Sequence, residues 1–295
     1  MTGAGGFIGR RVVGLLARDA WKDVACLVRD PSSLAGIIPA GWQGVTGDLA
    51  SPASYREALP GVDTVVHLAA ATGNALAAEM DRVNVEGTRD LLAECRAAGV
   101  ARFIFVSSIA ARYRDLRHYP YGRSKAEAEA LVRDAGLEFV ILRPTIVLGA
   151  GSPIWLRLRQ LANAPVSLMI GDGRPRVQPV AVDDVARAIL ILANRTRLPG
   201  NVLELGGPEP LSLDDLLRRI RAASGRRPAP ILHLPARPMQ LLLAGLGRLI
   251  PRLPVSPGQL APFLNDGTAA PGDLAELPRS GLTSLDDLLA RLART

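Results

Sequence analysis

The sequence predicts an α/β protein built on a doubly wound parallel sheet, followed by a smaller α/β lobe. Short apolar runs alternate with longer amphipathic segments over the first 150 residues. This is the spacing of parallel strands joined by right-handed crossover helices. A glycine-rich turn opens the first amphipathic segment. Because 48% of the 295 residues are hydrophobic, the chain has enough apolar material to bury both faces of such a sheet.

The elements of the sheet domain, expected over residues 1–150, follow from this alternation. The predicted strands are short apolar runs: Val24–Val28, Gly44–Thr46, Thr64–Leu68, Phe103–Val106 and Phe139–Leu142. The predicted helices are the amphipathic segments around them: Phe7–Ala20, Ser54–Leu59, Ala77–Ala98 and Tyr121–Ala135. The two longest of these, Ala77–Ala98 and Tyr121–Ala135, could also pair across a homodimer.

Residues 151–295 are expected to form the smaller lobe, which would build the substrate pocket. A helix is predicted over Asp183–Ala193 and a strand over Asn201–Leu205. Ser212 and Ser284 each stand three residues before an aspartate at the start of an amphipathic segment, the spacing of a capping box. Two well-capped helices are therefore predicted here, interleaved along the chain with parts of the sheet domain.

The proline-rich stretch 228–262 contains one helix candidate, Met239–Ile250, which is apolar almost all round. Such a helix packs in a core, contacts a protein partner, or lies on a membrane surface. Core or partner packing is the favoured interpretation. No apolar stretch has the length needed to cross a bilayer. We expect a cytoplasmic protein, with peripheral attachment to the inner face of the membrane as the alternative.

Composition excludes several classes of function. The net charge is +7, but all basic residues except Lys22 and Lys125 are arginines spread along the chain, so no nucleic-acid groove is predicted. Cys26 and Cys95 lie far apart and outside any CxxC pattern, as expected for buried thiols in a reducing compartment. The three histidines have no ligand spacing, and no metal site is expected.

The glycine-rich turn, Thr2–Gly9, is typical of dinucleotide binding. Gly3, Gly6 and Gly9 would let the backbone approach a pyrophosphate, and the following helix would offer its free N–H groups. Only Met1 and Thr2 precede the turn, so the first strand of the sheet is expected to be truncated. A gap with unpaired backbone groups would result, and we expect the natural start to lie upstream.

Two positions concern the adenosine half of such a cofactor. Arg29 ends the second strand of the fold, where arginine pairs with the 2′-phosphate of NADP, but Asp30 follows it and an acidic residue favours NAD. NADP(H) is favoured over NAD(H). Asp48 and Leu49 follow the next strand and suit an adenine contact, while the alternative for Asp48 is a cap or turn residue.

Three residues indicate proton-transfer chemistry. Tyr121 and Lys125 are four residues apart at the start of a predicted helix, so the phenol and the ammonium share a face. We expect the cation to lower the pKa of the phenol toward the working range of an acid–base catalyst. Ser108 ends a strand at the sheet edge where ligands bind, and its hydroxyl could orient a carbonyl or hydroxyl substrate.

These motifs together resemble the extended or atypical branch of the short-chain dehydrogenase/reductase superfamily. The resemblance runs through TGAGGFIG (Thr2–Gly9), GDL (Gly47–Leu49), HLAA (His67–Ala70), VNVEGT (Val83–Thr88), VSS (Val106–Ser108), YGRSK (Tyr121–Lys125) and RPT (Arg143–Thr145). It implies a Rossmann-type sheet. For the cofactor, it implies a pyrophosphate lined by Gly3, Gly6, Phe7, Ile8 and Gly9, an adenine at Asp48 and Leu49, a ribose at Ala69 and Ala70, and a nicotinamide beside Pro144. For catalysis, it implies Ser108, Tyr121 and Lys125, with Asn84 beside the lysine. Lys125 would also hold the cofactor.

Three functions stay open. The first is an NAD(P)-dependent oxidoreductase acting on a small carbonyl or hydroxyl substrate, favoured because a binding module has no need of the Tyr121/Lys125 pair. The second is a non-catalytic NADPH-binding protein of a respiratory or membrane-associated complex, since Arg176–Val182 and Leu203–Glu209 look like the subgroup related to the complex I accessory subunit. The third is a nucleotide-sugar epimerase or dehydratase.

The sequence hints at one property of the substrate. Four residues of the lobe suggest an anionic ligand: Trp155, Arg157, Arg159 and Arg176. Solvent-exposed surface arginines are the favoured interpretation.

Overall fold

The computed structural model describes residues 1–39, 41–235, 238–239, 261–270, 277 and 281–294. Its strands in chain order are β1 (Ala25–Val28), β2 (Gln43–Thr46), β3 (Thr64–His67), β4 (Arg102–Val106), β5 (Glu138–Pro144), β6 (Val147–Leu148), β7 (Ser167–Ile170), β8 (Arg176–Val177), β9 (Val180–Ala181), β10 (Val202–Leu205), β11 (Leu211–Ser212) and β12 (Ile231–Leu234). The predicted sheet strands agree with these bounds to within a few residues.

The central sheet consists of two parallel groups of strands, β2-β1 and β3-β4-β5-β10. Thr2 joins β1 to β3 through parallel bridges to Leu27 and His67. The predicted α/β fold class is confirmed. The two parts also interleave, because β10 follows residue 150 in sequence yet completes this sheet; the division at residue 150 itself stays a prediction.

The gap expected beside the truncated strand is closed at the carboxyl ends of β1 and β3. The Leu27 amide donates to the Met1 carbonyl at 2.8 Å, and the Thr2 amide donates to the Val66 carbonyl at 2.9 Å. The Leu68 amide in turn donates to the Thr2 carbonyl at 3.3 Å. Two residues therefore supply the backbone groups that the expected gap would have left unpaired at this end.

The helices are α1 (Phe7–Arg18), α2 (Ala77–Met80), α3 (Gly87–Ala97), α4 (Pro120–Arg133), α5 (Pro153–Asn163), α6 (Val182–Asn194), α7 (Leu213–Ala223), α8 (Ala261–Leu264) and α9 (Leu285–Ala293). A π-helical turn, Asp81–Glu86, interrupts the helix predicted over Ala77–Ala98. The prediction of a helix over Ser54–Leu59 is wrong. Two 3₁₀ turns occupy this region, because Pro52 opens the first and Ser54 bonds back to Ser51.

The strands of the sheet alternate their side chains between two cores. Ile104 and Val106 of β4 face α1 and α6, whereas Phe103 and Phe105 face α3 and α4. Both faces are thus covered by helices, which explains why the strands are continuous apolar runs.

A third core lies in the smaller lobe, between α5, α7 and α9. Ser212 and Ser284 cap α7 and α9, each accepting a hydrogen bond from the backbone amide three residues later, as predicted. Trp155, which the sequence suggested for a ligand pocket, is 2% exposed and packs in this core. The Trp155 side chain is therefore part of the core of the smaller lobe.

In the described part of the chain, no helix has both the length and the apolar character needed to span a membrane. The predicted helix over 239–250 lies outside the described residues beyond Met239. Cys26 and Cys95 are both buried free thiols. Homodimer formation and cytoplasmic localisation stay predictions.

Candidate functional site

The glycine turn packs its backbone closely against the sheet. Gly3 has φ +70°, and a Cβ there would lie 2.6 Å from the Ala69 amide nitrogen. A Cβ on Gly9 would lie 2.1 Å from the Gly3 carbonyl oxygen. Both positions therefore require glycine, one for its backbone angle and the other for the approach of α1 to the turn.

The N-terminus of α1 is available to an anion. Within the described chain, no side chain caps α1 and its first turn contains no acidic residue. The backbone N–H groups of that turn and the positive end of the helix dipole therefore face the space above the glycines. These residues fit the pyrophosphate of a dinucleotide.

A cavity of about 380 Å³ lies above the turn. Its lining includes these predicted cofactor residues: Gly3, Gly6, Arg29, Asp48, Leu49, Ala69 and Ala70. Other predicted cofactor residues do not line it: Phe7, Ile8, Gly9, Lys125 and Pro144. The cavity therefore brings together the residues expected around the adenosine and two of the five expected around the pyrophosphate, and not those expected around the nicotinamide.

Arg29 and Asp30 differ in their availability at the rim of this cavity. The Asp30 carboxylate accepts hydrogen bonds from the Ser32 hydroxyl at 2.6 Å and the Ser32 amide at 2.9 Å, and these bonds lower the pKa of Asp30. Arg29 is exposed, and its guanidinium has no hydrogen-bond partner among the described residues. Asp30 thus acts as a turn cap, while Arg29 remains free to meet a ligand.

Asp48 fits both of its predicted roles. Its Oδ1 accepts a hydrogen bond from the Ala50 amide at 3.0 Å, which makes it a turn residue, yet it also lines the cavity. Leu49 beside it is 4% exposed and packs in the core of the sheet domain.

Asn84 connects the cavity to α4. Its side-chain amide accepts from the Ala71 amide at 2.7 Å and donates to the Ala71 carbonyl at 3.0 Å. It also donates to the Ser124 hydroxyl at 2.9 Å. Asn84 lies in the π-helical turn Asp81–Glu86, a deviation that frequently occurs at functional sites.

His67, the first residue of the HLAA motif, is buried between Thr2 and α3. Its Nδ1 lies 2.7 Å from the Thr2 hydroxyl and its Nε2 lies 3.0 Å from the Thr88 hydroxyl. Since the Thr88 hydroxyl donates to the Asn84 carbonyl, Nε2–H donates to Thr88 and Nδ1 accepts from Thr2. Burial, with a smaller effect of the Lys125 charge, lowers the pKa of His67 to about 3. This neutral ring holds the turn beside β3 and the π-helical turn together.

Lys125 lies deep in the fold and is 2% exposed. Its Nζ donates to the Val106 carbonyl at 2.8 Å and lies 4.5 Å above the Phe105 ring. Burial lowers the pKa of Lys125 to about 7, and the charge of Glu129 opposes this shift. The ammonium therefore holds the end of β4, directly before Ser107 and Ser108.

The structure brings the side chains of Tyr121 and Ser108 close enough to interact. Burial raises the pKa of Tyr121, and the interaction with the Ser108 side chain opposes this shift. The expectation that Lys125 lowers this pKa is not met, because the Lys125 amine is directed at the Val106 carbonyl and the Phe105 ring. Ser108 also accepts a hydrogen bond from the Ala110 amide at 3.2 Å.

The fold and this cavity together define a dinucleotide-binding α/β protein. The profile of the NAD dependent epimerase/dehydratase family matches residues 1–206. The chain belongs to this family, and the resemblance to the short-chain dehydrogenase/reductase superfamily is confirmed. The finer resemblance to the complex I accessory subgroup stays a prediction.

Several known proteins are similar to this chain. A ceramide reductase of Caulobacter vibrioides is 36% identical over 207 residues, which cover 68% of this chain but only 62% of that protein. A 2-alkyl-3-oxoalkanoate reductase of Stenotrophomonas maltophilia is 29% identical over 251 residues, covering 76% of this chain and 75% of that protein. Both relatives are named as reductases.

Solved structures share the fold across the whole chain. The dTDP-glucose 4,6-dehydratase DesIV of Streptomyces venezuelae, solved with NAD bound, has a TM-score of 0.75 and 24% identity, covering 99% of this chain and 94% of that one. MoeE5, in complex with UDP-glucuronic acid and NAD, has a TM-score of 0.69 and 25% identity, covering 98% and 95%.

Proposed function

We propose that this protein is an NADP(H)-dependent oxidoreductase that interconverts a carbonyl and a hydroxyl group. The observation that carries the proposal is the proximity of the Tyr121 and Ser108 side chains, with Lys125 one helical turn away on α4. The glycine-lined cavity, which Asn84 connects to α4, fits the pyrophosphate of a dinucleotide. The reductase names of two relatives support the same reaction type.

The cofactor preference rests on Arg29. Its free guanidinium at the cavity rim would pair with a 2′-phosphate through charge-assisted hydrogen bonds. The neighbouring carboxylate of Asp30, which also lines the cavity, accepts two hydrogen bonds from Ser32. A bound nicotinamide would supply a hydride for reduction or accept one in oxidation.

The chain's own residues would handle the proton. In reduction, the Ser108 hydroxyl donates a hydrogen bond to the substrate oxygen and the Tyr121 phenol donates its proton to that oxygen. Because burial raises the pKa of Tyr121, the phenol is protonated before it donates its proton to the substrate oxygen. The hydrogen bond of Lys125 to the Val106 carbonyl holds the strand end that carries Ser108.

One observation favours the hypothesis of a nucleotide-sugar epimerase or dehydratase. Solved structures that match nearly the whole chain include a dTDP-glucose dehydratase and a protein bound to UDP-glucuronic acid. Such a reaction would convert a nucleotide sugar without net consumption of NADPH. The hypothesis of a non-catalytic NADPH-binding protein stays a prediction. The helix expected to contact a partner or a membrane, 239–250, lies almost wholly outside the described residues.

The proposal is tested in two steps. Fluorescence titration with NADPH and NADH should show tighter binding of NADPH. Oxidation of NADPH is then followed with a panel of aliphatic ketones and 3-oxoalkanoates, while UDP-glucose and dTDP-glucose are examined for epimerised or dehydrated products. Conversion of a nucleotide sugar without NADPH consumption would favour the epimerase or dehydratase instead.

Tyr121→Phe should lower turnover by at least about a hundredfold, because it removes the proton donor, and should leave the Kd for NADPH nearly unchanged. Tyr55→Phe is the matched control, since the Tyr55 hydroxyl is buried without a hydrogen-bond partner among the described residues. Equal turnover in Tyr121→Phe and wild type rules out Tyr121 as the proton donor.

A further inference from the structure

A series of alternating charges connects the end of β4 to the 3₁₀ turn that follows it. The turn, Ile109–Arg112, is capped by Ser108, whose side chain accepts a hydrogen bond from the Ala110 amide at 3.2 Å. The charged side chains come from α4, β5, β10 and the turn itself. In order of contact they are Glu129, Arg143, Glu204 and Arg112. We call these four residues the ion-pair series.

The two ends of the ion-pair series hold the backbone on the two sides of Ser108. At one end, Glu129 accepts a hydrogen bond from the hydroxyl of Ser107 at 2.6 Å. At the other end, Arg112 is the last residue of the turn, and its Nε lies 3.0 Å from Glu204 Oε1. Charged groups therefore fix this stretch of backbone both before and after the serine.

The contacts inside the ion-pair series are short and largely shielded from water. Arg143 donates to Glu129 at 2.8 and 2.6 Å, and its Nη1 lies 3.3 Å from Glu204 Oε1. The exposed fractions of the side chains are 1% for Glu129, 15% for Arg143 and 10% for Glu204. Because charge-assisted hydrogen bonds are stronger and more directional when water is excluded, these three residues favour one geometry.

Glu204 also binds a segment from late in the sequence, residues 266–270. Its Oε2 accepts a hydrogen bond from the Ala270 amide at 2.8 Å, and Arg112 Nη2 donates to the Thr268 carbonyl. These two bonds join residues that are 66 and 156 positions apart. Glu204 and Arg112 therefore attach this segment to the turn as well as pairing with each other.

The position of the turn sets the position of the Ser108 hydroxyl. The hydroxyl oxygen accepts a hydrogen bond from the Ala110 amide, so it is tied to the backbone of the turn. Its hydrogen and its second lone pair remain for a substrate oxygen and for Tyr121. A displacement of about 1 Å at a reacting centre can cost about a hundredfold in rate. Any residue that fixes the turn therefore influences what the serine can do.

We propose that Glu204 is a positioning residue for Ser108 and acts through Arg112 on the turn that Ser108 caps. This rests on the proposed function, in which the Ser108 hydroxyl orients the substrate oxygen. Glu204 does not line the dinucleotide cavity. Its loss should therefore slow the chemical step and leave the affinity for NADPH unchanged.

The first test is a double-mutant cycle on the single-turnover rate of NADPH oxidation at a saturating ketone concentration. Glu204→Gln keeps the shape of the side chain and removes its charge, so it should lower the rate by about tenfold and leave the Kd for NADPH unchanged. In the Ser108→Ala background the same substitution should cost less than about twofold, because the group that Glu204 positions is absent. Equal losses in the two backgrounds overturn the proposal.

Two further variants separate positioning from a general loss of stability. Arg112→Gln should lower the rate as Glu204→Gln does, and it leaves the Glu204 carboxylate paired with Arg143. Glu209→Gln is the matched control, since Glu209 lies beyond the end of β10 and pairs with Arg219 at the surface. A wild-type rate in Arg112→Gln contradicts the proposal, and so does an equal loss in Glu209→Gln and Glu204→Gln.

The second test needs no turnover. Hydrogen exchange is followed by mass spectrometry in the peptides that contain residues 107–113 and 266–270. Both peptides should exchange at least about fivefold faster in Glu204→Gln and Arg112→Gln than in wild type or Glu209→Gln, while the amides of β3 keep their wild-type rates. Wild-type exchange of residues 107–113 in both variants overturns the proposal. If no ketone is turned over, the proposed function fails, and hydrogen exchange still decides whether Glu204 positions the turn.

Discussion

The Ser107 hydroxyl donates a hydrogen bond to Glu129 Oε1 at 2.6 Å, joining the end of β4 to the middle of α4. Glu129 is 1% exposed and also accepts two hydrogen bonds from Arg143, at 2.8 and 2.6 Å, and one from Arg133 at 2.8 Å. Although burial raises the pKa of Glu129, its arginine and serine donors outweigh that effect and lower it. This buried carboxylate holds together the two elements that carry Ser108 and Tyr121.

Glu129→Gln should destabilise the fold by about 2–4 kcal/mol, because it leaves the largely buried guanidinium of Arg143 without its main carboxylate partner. Denaturant unfolding measures the loss. Glu127→Gln is the control on the same helix: its pair with Arg123 is exposed and 3.6 Å long, so roughly 0–1 kcal/mol is expected. Equal effects of the two substitutions would show that the Glu129 network contributes no special stability.

Lys125→Met should remove a pH dependence of stability. The pKa of Lys125 falls from 10.5 to about 7 on folding, so between these values the unfolded chain binds more protons than the folded one. The contribution of Lys125 to the unfolding free energy of wild type therefore increases as the pH rises above 7.

Between pH 7.5 and 9, the unfolding free energy of wild type should rise by about 1–2 kcal/mol relative to Lys125→Met. Denaturant unfolding at several pH values measures this difference. Lys22→Met, at the only other lysine of the chain and an exposed position, should track wild type. Parallel curves for wild type and Lys125→Met would refute the lowered pKa.

Arg29→Gln should weaken NADPH binding by about tenfold and leave NADH binding unchanged, because only NADPH carries the 2′-phosphate. Fluorescence titration with both cofactors provides the comparison. Arg18→Gln, at the other end of α1, serves as the control for loss of one exposed positive charge. If Arg29→Gln weakens NADPH and NADH equally, Arg29 does not determine the preference.

Gly3→Ala should destabilise the protein and weaken cofactor binding. Both Gly3 and Gly36 have positive φ, +70° and +71°, so alanine costs roughly 1 kcal/mol of backbone strain at either position. Only at Gly3 does the added Cβ meet backbone, 2.6 Å from the Ala69 amide nitrogen, whereas nothing lies within 4 Å at Gly36.

The difference between Gly3→Ala and Gly36→Ala therefore isolates the close approach of the turn to β3. We expect about 2 kcal/mol more destabilisation at Gly3, together with weaker NADPH binding that Gly36→Ala does not show. Thermal unfolding and cofactor titration measure the two effects. Identical behaviour of the two variants would mean that the turn can shift without cost.

The central sheet was predictable from local pattern, because strands buried on both faces are short apolar runs. The glycine spacing of Gly3, Gly6 and Gly9 and the i, i+4 spacing of Tyr121 and Lys125 likewise need only neighbouring residues to be read. The helix predicted over Ser54–Leu59 was wrong because proline and serine hydrogen bonds favour turns there.

Tertiary structure decided what these side chains touch. The Lys125 amine meets a carbonyl and an aromatic ring from β4, Tyr121 meets Ser108, and Glu129 gathers donors from β4 and β5. Burial, which sets the pKa values of His67, Tyr121 and Lys125, depends on packing between segments far apart in sequence. Sequence alone therefore determined the scaffold and its reactive groups, while folding determined their protonation and their partners, since desolvation and hydrogen bonding act only once distant segments meet.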